Sequence, residues 1–233
     1  MNRGWRCDCN AYASCMPMSN VAMSERISSA LPNGRIFGAI QNHFAEAGYH
    51  ISFDDRQLRV QDRSGRVEAF LVKNSDLPTY VHHGIAGIGF CGEDVLNESG
   101  FDFVKLLRLP YGSTSMCLAA PRGAPHPLST GGTLTVATKF TRFTRDYFHR
   151  RGVPVDIIRL GGSVELAPLL GLSSCIVDLV ETGSTLKAND LEVVEQLETI
   201  SVYMIANPAY YKLNYRAIRT LTAKLESAIG EQE

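Results

Sequence analysis

The sequence predicts an α/β protein built from two lobes. Its 233 residues are 45% hydrophobic and 20% charged, an ordinary composition that is sufficient for one large core or two smaller ones. From Arg26 onward, short apolar runs of strand length alternate with amphipathic stretches. Such alternation is typical of folds in which helices cover parallel sheets.

Eight short apolar runs are predicted to be strands. In chain order they are residues 68–72, 85–91, 103–109, 115–120, 133–137, 155–160, 174–180 and 199–206. Helical stretches lie between several of these runs, and this order favours parallel strands.

Residues 119–133, AAPRGAPHPLSTGGT, contain three prolines and three glycines between two predicted strands, so we expect a surface loop there. We place this loop in a second lobe of residues 112–200, whereas residues 23–111 and 201–233 form the first lobe. The chain then crosses between lobes twice, near residues 110–114 and near Ile200. These crossings are the candidate hinge.

The C-terminal segment is predicted to be an amphipathic helix. Asn207 is suited to be its N-cap, and Pro208 follows at the first helical position. Apolar side chains then recur at helical steps, at Tyr211, Tyr215, Ile218, Leu221, Leu225 and Ile229. We expect this stripe to pack against the core or against a partner.

The charges of the chain nearly cancel, because 23 Lys and Arg oppose 24 Asp and Glu. No overall field draws the protein to nucleic acid or to an acidic membrane, and we predict neither as a partner. No apolar run approaches the roughly 20 residues of a membrane helix, and the N-terminus lacks the apolar stretch of a secretory signal. We therefore predict a cytoplasmic location for the protein.

The N-terminal residues 1–22 are predicted to be a disordered leader outside the fold. Their cysteines, Cys7, Cys9 and Cys15, leave a metal site as the alternative, although no second Cys or His cluster completes a tetrahedral set. The other three cysteines lie in apolar contexts and are expected to be buried thiols. They are Cys91, Cys117 and Cys175.

Residues 176–190, IVDLVETGSTLKAND, join a strand to a polar turn. Asp178 lies between Val177 and Leu179, so it emerges on the opposite face of the strand from these two apolar residues. The turn at residues 182–185 offers hydroxyl groups, backbone N–H groups and a flexible glycine, which together can surround an oxyanion. The pattern predicts a phosphate-binding loop.

Two acids, Asp178 and Glu181, accompany this loop. Carboxylates accept hydrogen bonds from sugar hydroxyls or hold a Mg²⁺ ion bound to phosphate, so we predict a sugar phosphate as the ligand. The alternative is an ordinary turn followed by a helix cap, because the same residue types dominate such turns. The loop residues are Thr182, Gly183, Ser184 and Thr185.

A second polar segment lies upstream of this strand. Gly161 and Gly162 precede Ser163, which is suited to cap a helix, and Glu165 then falls in the first helical turn. Pro168 is still close to that turn, where a missing N–H group costs least. The helix dipole alone would explain the acid at Glu165.

These residues form a spaced pattern from Glu165 to Leu186, E-x5-G-x-S-x2-I-x-D-x3-T-G-x-T-L. The pattern resembles the signature of the ATP phosphoribosyltransferase family, which performs the first step of histidine biosynthesis. Four further blocks resemble this family in the same order, namely ALPNGRIF (residues 30–37), DLPTYVHHG (76–84), IGFCGEDVL (88–96) and VATKF (136–140). The resemblance covers about residues 26–225 and implies two lobes like those of a type II periplasmic binding protein, with ligands between them.

The activity implied by the resemblance is transfer of the phosphoribosyl group of phosphoribosyl pyrophosphate to N1 of ATP, with release of pyrophosphate. Mg²⁺ would be carried by the substrates' phosphates, without a metal site of the protein. Since positive charge develops on the sugar and negative charge on the leaving oxygens, catalysis needs clamping cations.

The resemblance also implies the roles of single residues. The catalytic cations would be Arg35, Arg56 and Lys73, with Lys139 as a further cation of the cleft, although each alone would be explained as a surface charge. Phosphoribosyl pyrophosphate would bind to Asp178, Glu181, Thr182, Gly183, Ser184 and Thr185, and ATP to Arg35, Gly162, Ser163 and Glu165.

The partners implied are also those of the family. Because the chain ends near Glu233, it resembles the short form of the enzyme, which has no regulatory domain of its own. This form depends on a separate regulatory subunit similar to histidyl-tRNA synthetase. We therefore expect a homodimer and a hetero-oligomer with that subunit.

Three positions depart from the usual residues of the family. Asn33 stands in place of a Lys, Lys73 in place of an Arg, and Gly87 in place of an Asp near the adenylate pocket. The alternative function is therefore a non-catalytic or altered-specificity relative that binds phosphoribosyl pyrophosphate or nucleotides as a regulatory or binding protein. A solute sensor is a third class, which the intact Asp178 and the lack of an export signal disfavour.

Overall fold

The computed structural model describes residues 26–54, 56–129 and 131–230. The predicted leader of residues 1–22, with its three cysteines, lies outside the described residues. None of the helices in the described ranges is long and apolar enough to span a membrane.

Strands and helices alternate along the described chain, which confirms the predicted α/β class. The strands are β1 (Ile27–Pro32), β2 (Arg59–Gln61), β3 (Val67–Val72), β4 (Ile88–Gly92), β5 (Val104–Arg108), β6 (Thr114–Pro121), β7 (Leu134–Thr138), β8 (Val155–Arg159), β9 (Cys175–Val180), β10 (Leu191–Ile200) and β11 (Val202–Ala206). The helices are α1 (Phe37–Glu46), α2 (Leu77–His82), α3 (Glu93–Ser99), α4 (Thr141–Arg150), α5 (Leu166–Leu169), α6 (Ser184–Ala188), α7 (Pro208–Leu213) and α8 (Tyr215–Gly230).

The first sheet has the strand order β2-β3-β1-β4-β11-β5. Its strands β3, β1 and β4 are parallel, so their carboxyl ends meet at one edge. One face packs against α1 and α8 through residues such as Phe44 and Leu221, and the other packs against α2 and α3 through residues such as Leu77 and Leu96. We call this sheet with α1, α2, α3, α7 and α8 lobe I.

The second sheet has the strand order β10-β6-β9-β7-β8. Its strands β9, β7 and β8 are parallel, whereas β6 and β10 are antiparallel to their neighbours. Phe143 and Phe148 of α4 bury one face, and Ala167 and Leu186 of α5 and α6 bury the other. We call this sheet with α4, α5 and α6 lobe II.

The expected parallel arrangement holds only for three strands of each sheet. The strand that follows each crossing between the lobes, β6 or β11, runs antiparallel to both of its neighbours. The prediction of one strand at residues 199–206 is wrong, because β10 ends at Ile200 and β11 begins at Val202 in the other sheet. The lobe limits predicted from the sequence, residues 23–111 with 201–233 and residues 112–200, stay a proposal.

Three strands do not follow from the sequence patterns. β1 contains two serines, but Ser29 is fully buried, and β2 is a three-residue strand at the edge of its sheet. β10 is largely exposed, so its sequence has no continuous apolar run. In each case the segment forms a strand because it pairs with neighbouring strands, and not because its own residues are hydrophobic.

The C-terminal segment begins as the sequence predicts. The Asn207 side chain accepts hydrogen bonds from the backbone N–H groups of Ala209 and Tyr210, both at 3.0 Å, which confirms it as the N-cap. The single predicted helix is wrong, because the chain breaks at Asn214 into α7 and α8. Ile218, Leu221 and Leu225 are buried in the core of lobe I, as expected, whereas Tyr215 is half exposed.

The departure at Gly87 has a structural explanation. A Cβ atom at Gly87 would overlap the ring of Tyr210, which lies directly against the glycine. The Tyr210 hydroxyl donates to Arg26 O at 3.0 Å and accepts from Ser28 N at 3.3 Å, so the ring is held in place by the start of β1. Gly87 precedes β4 and therefore lies at the amino ends of the parallel strands.

We predict that Gly87→Ala lowers the free energy of unfolding by about 1–3 kcal/mol, because a side chain would be forced into packed space. The penalty should shrink when Tyr210 is also replaced by alanine. Gly38→Ala, at a helical glycine whose Cβ would meet no atom within 4 Å, is the matched control and should be neutral or stabilising. Urea denaturation of Gly87→Ala, Tyr210→Ala, their double variant and Gly38→Ala checks this, and equal effects of both glycine substitutions would contradict it.

Candidate active site between the lobes

The carboxyl ends of the parallel strands in lobe I face the carboxyl ends of the parallel strands in lobe II. Arg35 follows β1 in lobe I and Glu181 follows β9 in lobe II, and their side chains form an ion pair across the cleft. In open α/β sheets, ligands bind in the crevice outside the carboxyl ends of the strands. The space between these ends is therefore the candidate active site.

The predicted phosphate-binding loop lies at this edge of lobe II. Gly183 has a φ of 69°, in the left-handed region that glycine adopts without strain, and α6 begins at the next residue. The Thr182 and Ser184 hydroxyl groups are 3.0 Å apart and share a hydrogen bond. The first N–H groups of a helix have no partner within the helix, so this turn presents donors to the cleft.

A cavity of about 330 Å³ opens at this loop. Its walls include every residue predicted to bind phosphoribosyl pyrophosphate, together with Arg35 from lobe I and Glu165 from the turn before α5. The predicted residues in the wall are Asp178, Glu181, Thr182, Gly183, Ser184 and Thr185. A larger concavity of about 650 Å³ lies at the amino ends of β1 and β3, and its lining includes none of the predicted site residues.

Asp178 is held in the floor of the cleft by two contacts. Its Oδ1 atom lies 3.2 Å from Nζ of Lys139, and Leu179 N donates to the same oxygen at 2.9 Å. Lys139 follows β7, whereas Asp178 belongs to the neighbouring strand β9, so the pairing of two parallel strands brings them together. The Asp178 side chain is 18% exposed and can still be reached from the cleft.

The Arg35–Glu181 pair is the exposed contact across the mouth of the cleft. The Arg35 side chain is 71% exposed and the Glu181 side chain is 53% exposed. Exposed ion pairs contribute little, typically about 0–1 kcal/mol, so a ligand phosphate can displace the carboxylate from Arg35 at low cost.

The other predicted cations occupy different places. Lys73 is exposed directly after β3, and Asn33 N donates to Val72 O at 2.8 Å, so Lys73 and Asn33 end adjacent strands at the cleft edge. Arg56 is exposed on the loop before β2, with a φ of 95°, and does not line the 330 Å³ cavity. The structure thus places Lys73 beside Asn33 at the cleft edge, and neither Lys73 nor Arg56 lines the cavity.

The segment before α5 differs from its prediction. Ser163 is not a side-chain cap, because α5 begins only at Leu166 and it is the Ser163 backbone carbonyl that accepts from Leu166 N. Ser163 has a φ of 48°, and both it and Gly162 are exposed and absent from the cavity wall. Glu165 occupies the N-cap position without capping through its side chain, and this frees it to line the cavity.

One acid near the site, Asp94, lies in the block of residues 88–96 but is not among the predicted site residues. It lies at the start of α3, directly after β4, and only 7% of it is exposed. Burial raises the pKa of Asp94 and the charge of Asp178 adds to this effect, whereas the N–H group of Val95 and the charge of Lys139 oppose it. Asp94 belongs to lobe I, so its charge interacts across the cleft with the Lys139–Asp178 pair of lobe II.

The described cysteines do not belong to the chemistry of the cleft. Cys91, Cys117 and Cys175 are buried and free, as expected from their apolar contexts. Burial raises the pKa of all three thiols, to about 12 for Cys175, so they stay protonated at neutral pH. Within the described ranges, no group of three or more His, Cys, Asp and Glu side chains is placed to hold a metal ion.

The two sheets and the cleft between them define a two-lobed α/β protein with a fold like that of type II periplasmic binding proteins. The alkanesulfonate-binding protein SsuA from Xanthomonas axonopodis pv. citri superposes with a TM-score of 0.57, covering 88% of this chain and 73% of that protein. At 10% identity, this likeness concerns the fold alone.

The family follows from closer relatives. The sequence profile of ATP phosphoribosyltransferase matches residues 73–227. The ATP phosphoribosyltransferase of Thermoanaerobacter sp. is 41% identical over 208 residues, which are 88% of this chain and 97% of that protein. That of Acidithiobacillus ferrooxidans is 42% identical over 213 residues, 89% of this chain and 99% of that protein.

A solved structure agrees with these relatives. The ATP phosphoribosyl transferase (HisG:HisZ) complex from Thermotoga maritima contains a chain that superposes with a TM-score of 0.77 at 34% identity, covering 88% of this chain and 99% of that one. The chain described here belongs to the ATP phosphoribosyltransferase family.

We predict a pH-dependent effect of Asp94→Asn on stability. Burial raises the pKa of the Asp94 carboxyl group in the folded state. The contribution of this group to the free energy of unfolding is therefore complete below its pKa in the unfolded state and is lost as the pH rises through its pKa in the folded state. The neutral amide avoids this loss, so the stability of the variant relative to the wild type should increase as the pH rises above about 4, the usual pKa of an aspartate in the unfolded chain. Urea denaturation across this range checks the prediction.

Asp102→Asn is the control for this measurement, because Asp102 is exposed and makes no hydrogen bond or ion pair among the described residues. Its stability relative to the wild type should be nearly constant with pH. A relative stability of Asp94→Asn that falls as the pH rises would contradict the assigned direction.

Proposed function

We propose that this chain is the catalytic subunit of an ATP phosphoribosyltransferase, which joins the phosphoribosyl group of phosphoribosyl pyrophosphate to N1 of ATP and releases pyrophosphate. One observation carries the proposal. The loop and acids of lobe II line one cavity with a cation of lobe I, so a sugar phosphate and a second, anionic substrate can meet between the lobes. Family membership supports the same reaction.

The sugar-phosphate half of the site is assigned to lobe II. The hydroxyl and N–H groups of Thr182, Gly183, Ser184 and Thr185 would receive the 5-phosphate, because such turns offer several converging donors. Asp178 would accept hydrogen bonds from the ribose hydroxyls, with Lys139 holding its carboxylate in position at 3.2 Å. When the substrate binds, Glu181 would give up its ion pair with Arg35 and contact the substrate instead.

Cations at the mouth of the cleft are assigned to the leaving group. As the bond to pyrophosphate breaks, negative charge grows on the departing oxygens, and fixed positive charges lower the energy of that state. Arg35 and Lys73 are at the carboxyl ends of β1 and β3, so they are the first candidates for this role. Arg56, on the loop before β2, would be a further candidate.

The ATP site is proposed beside Arg35 and Glu165, which line the same cavity. Gly162 and Ser163 are exposed in the turn before α5 and would border the nucleotide from lobe II. Because both substrates are anions, the cleft needs more positive charge than a site for one phosphate. Lys73 and Arg35 supply part of that charge.

Mg²⁺ is proposed to enter with the substrates. In sites for phosphate substrates this ion is typically held by one or two carboxylates together with substrate phosphates. Asp178 and Glu181 are carboxylates at the cavity wall and fit this pattern of ligands. The ion would neutralise charge on the pyrophosphate that leaves.

We also propose a homodimer and a hetero-oligomer with a regulatory subunit similar to histidyl-tRNA synthetase. The support for the hetero-oligomer is the likeness, at 34% identity, to a chain of the HisG:HisZ complex of Thermotoga maritima, whereas the homodimer rests on the family resemblance alone. The cytoplasmic location stays a prediction.

The activity is tested by mixing the purified chain and its regulatory partner with ATP, phosphoribosyl pyrophosphate and Mg²⁺. Phosphoribosyl-ATP and pyrophosphate should form in equal amounts. If neither product forms while calorimetry still detects binding of phosphoribosyl pyrophosphate, the alternative of a non-catalytic relative is favoured.

We predict that Asp178→Asn weakens binding of phosphoribosyl pyrophosphate about tenfold or more, because hydrogen bonds to a charged group contribute about 1.5–3 kcal/mol. Asp156→Asn is the matched control, since Asp156 is an exposed acid of β8 in the same sheet without a hydrogen bond or ion pair among the described residues. Isothermal calorimetry measures both affinities. Equal affinity of Asp178→Asn and the wild type would reject the assigned ribose contact.

A further inference from the structure

The helix α4 of lobe II begins without a cap of its own. Its N-cap residue, Phe140, has no side-chain acceptor, and its first turn contains no acidic residue. The first N–H groups of a helix need acceptors, and the positive end of the helix dipole favours a nearby anion. Both requirements are met by a residue of the other lobe.

Glu98 of α3, in lobe I, supplies the missing acceptor. Its Oε1 atom accepts from Thr141 N at 3.0 Å, from Thr141 Oγ1 at 2.9 Å and from Arg142 N at 3.2 Å. Its Oε2 atom accepts from Arg142 N at 3.0 Å and from Phe143 N at 3.4 Å. One carboxylate of lobe I therefore satisfies the first turn of a helix in lobe II.

The contact is reciprocal. Gly100 ends α3 with a φ of 69°, and the guanidinium group of Arg142 lies so close to it that a Cβ atom would overlap the arginine. A cation from the start of α4 thus lies at the carboxyl end of α3, where the helix dipole favours positive charge. We define Glu98, Gly100, Thr141 and Arg142 as the α3–α4 junction.

The α3–α4 junction lies two residues from Lys139. On the other side of Lys139, Thr138 Oγ1 donates to Val177 O of β9 at 2.6 Å and accepts from Phe140 N at 2.9 Å. The backbone of Lys139 is therefore held by β9 on one side and by Glu98 on the other. Its Nζ atom meets Asp178 at 3.2 Å, the acid assigned to the ribose.

We propose that Glu98 is a positioning residue of the transfer reaction, which holds Lys139 against Asp178 by capping α4 across the two lobes. The proposal rests on the proposed function, because it concerns the same phosphoribosyl site. Glu98 itself does not touch the substrates. It acts through the start of α4, so it ties the geometry of the ribose contact to the relative position of the lobes.

The test uses Glu98→Gln in the complete complex with the regulatory partner. The amide keeps the volume but replaces one acceptor oxygen by a donor that faces N–H groups. We expect kcat/KM for phosphoribosyl pyrophosphate to fall on the order of tenfold, a change typical of a lost charged cap, with most of the loss in KM for that substrate and little in KM for ATP. Calorimetric binding of phosphoribosyl pyrophosphate alone should weaken by a similar factor.

Asp146→Asn is the matched control. Asp146 belongs to α4 and lines the same space between the lobes as Arg142, but its carboxylate has no partner among the described residues. This variant should keep the wild-type KM and binding constant. Glu98→Asp, which keeps the charge on a shorter side chain, should recover part of the affinity lost in Glu98→Gln.

A double variant at Glu98 and Lys139 distinguishes a role of Glu98 in positioning Lys139 from a role in the stability of the protein alone. If Glu98 acts through Lys139, the losses in Glu98→Gln and Lys139→Met will not add in the double variant. The proposal is overturned if Glu98→Gln lowers only the melting temperature, if its loss adds fully to that of Lys139→Met, or if Lys139→Met binds phosphoribosyl pyrophosphate normally. If the wild type binds this ligand but forms no product, the proposed function fails, and the binding constants still decide the role of Glu98.

Discussion

The cleft depends on one constraint of the chain, namely that it changes sheet twice at neighbouring points. The first crossing lies between β5 and β6, and the second is the single residue Ser201 between β10 and β11. Ser113 Oγ donates to Ile200 O at 3.0 Å and so binds the two crossings side by side. With this pair of connections fixed, the carboxyl ends of the parallel strands in one lobe face those in the other, and residues from loops far apart in sequence share one cavity.

The contacts across the cleft are charged and polar, while the apolar cores stay within the lobes. Two of the four described core clusters belong to lobe I and two to lobe II. Contacts between the lobes include the exposed pair Arg35–Glu181, the carboxylate of Glu98 on the start of α4, and the guanidinium group of Arg142 against Gly100. Contacts of this kind can be broken and remade at lower cost than a shared apolar core, and they allow the hinge motion that is common in two-lobed proteins.

Much of the fold and part of the candidate site could be predicted from the sequence. Eight of the eleven described strands have a local signal, and the loop at Thr182 to Thr185 is marked by its composition and spacing. The prediction failed where structure depends on distant partners. Ser29 is buried by its neighbours in the sheet, and Ser201 divides two strands that look continuous in the sequence. Glu98 lies outside the motifs, and Asp94 is not singled out within the block of residues 88–96, because the roles of these acids arise only when the lobes come together. Gly87 looked like a loss at the nucleotide side, whereas it lies at the opposite end of β4 and makes room for Tyr210.

The position of β11 inside the sheet of lobe I also has a consequence for biosynthesis. β11 lies between β4 and β5, and β5 has no other neighbour in the sheet, so lobe I lacks an inner strand until residues 202–206, which follow every strand of lobe II in the chain, have left the ribosome. Lobe II is encoded without interruption between the two crossings, and all five of its strands are available earlier. We therefore expect the inserted lobe to be complete first on the ribosome, because the amino-terminal strands of lobe I need a strand that is made only after all of lobe II.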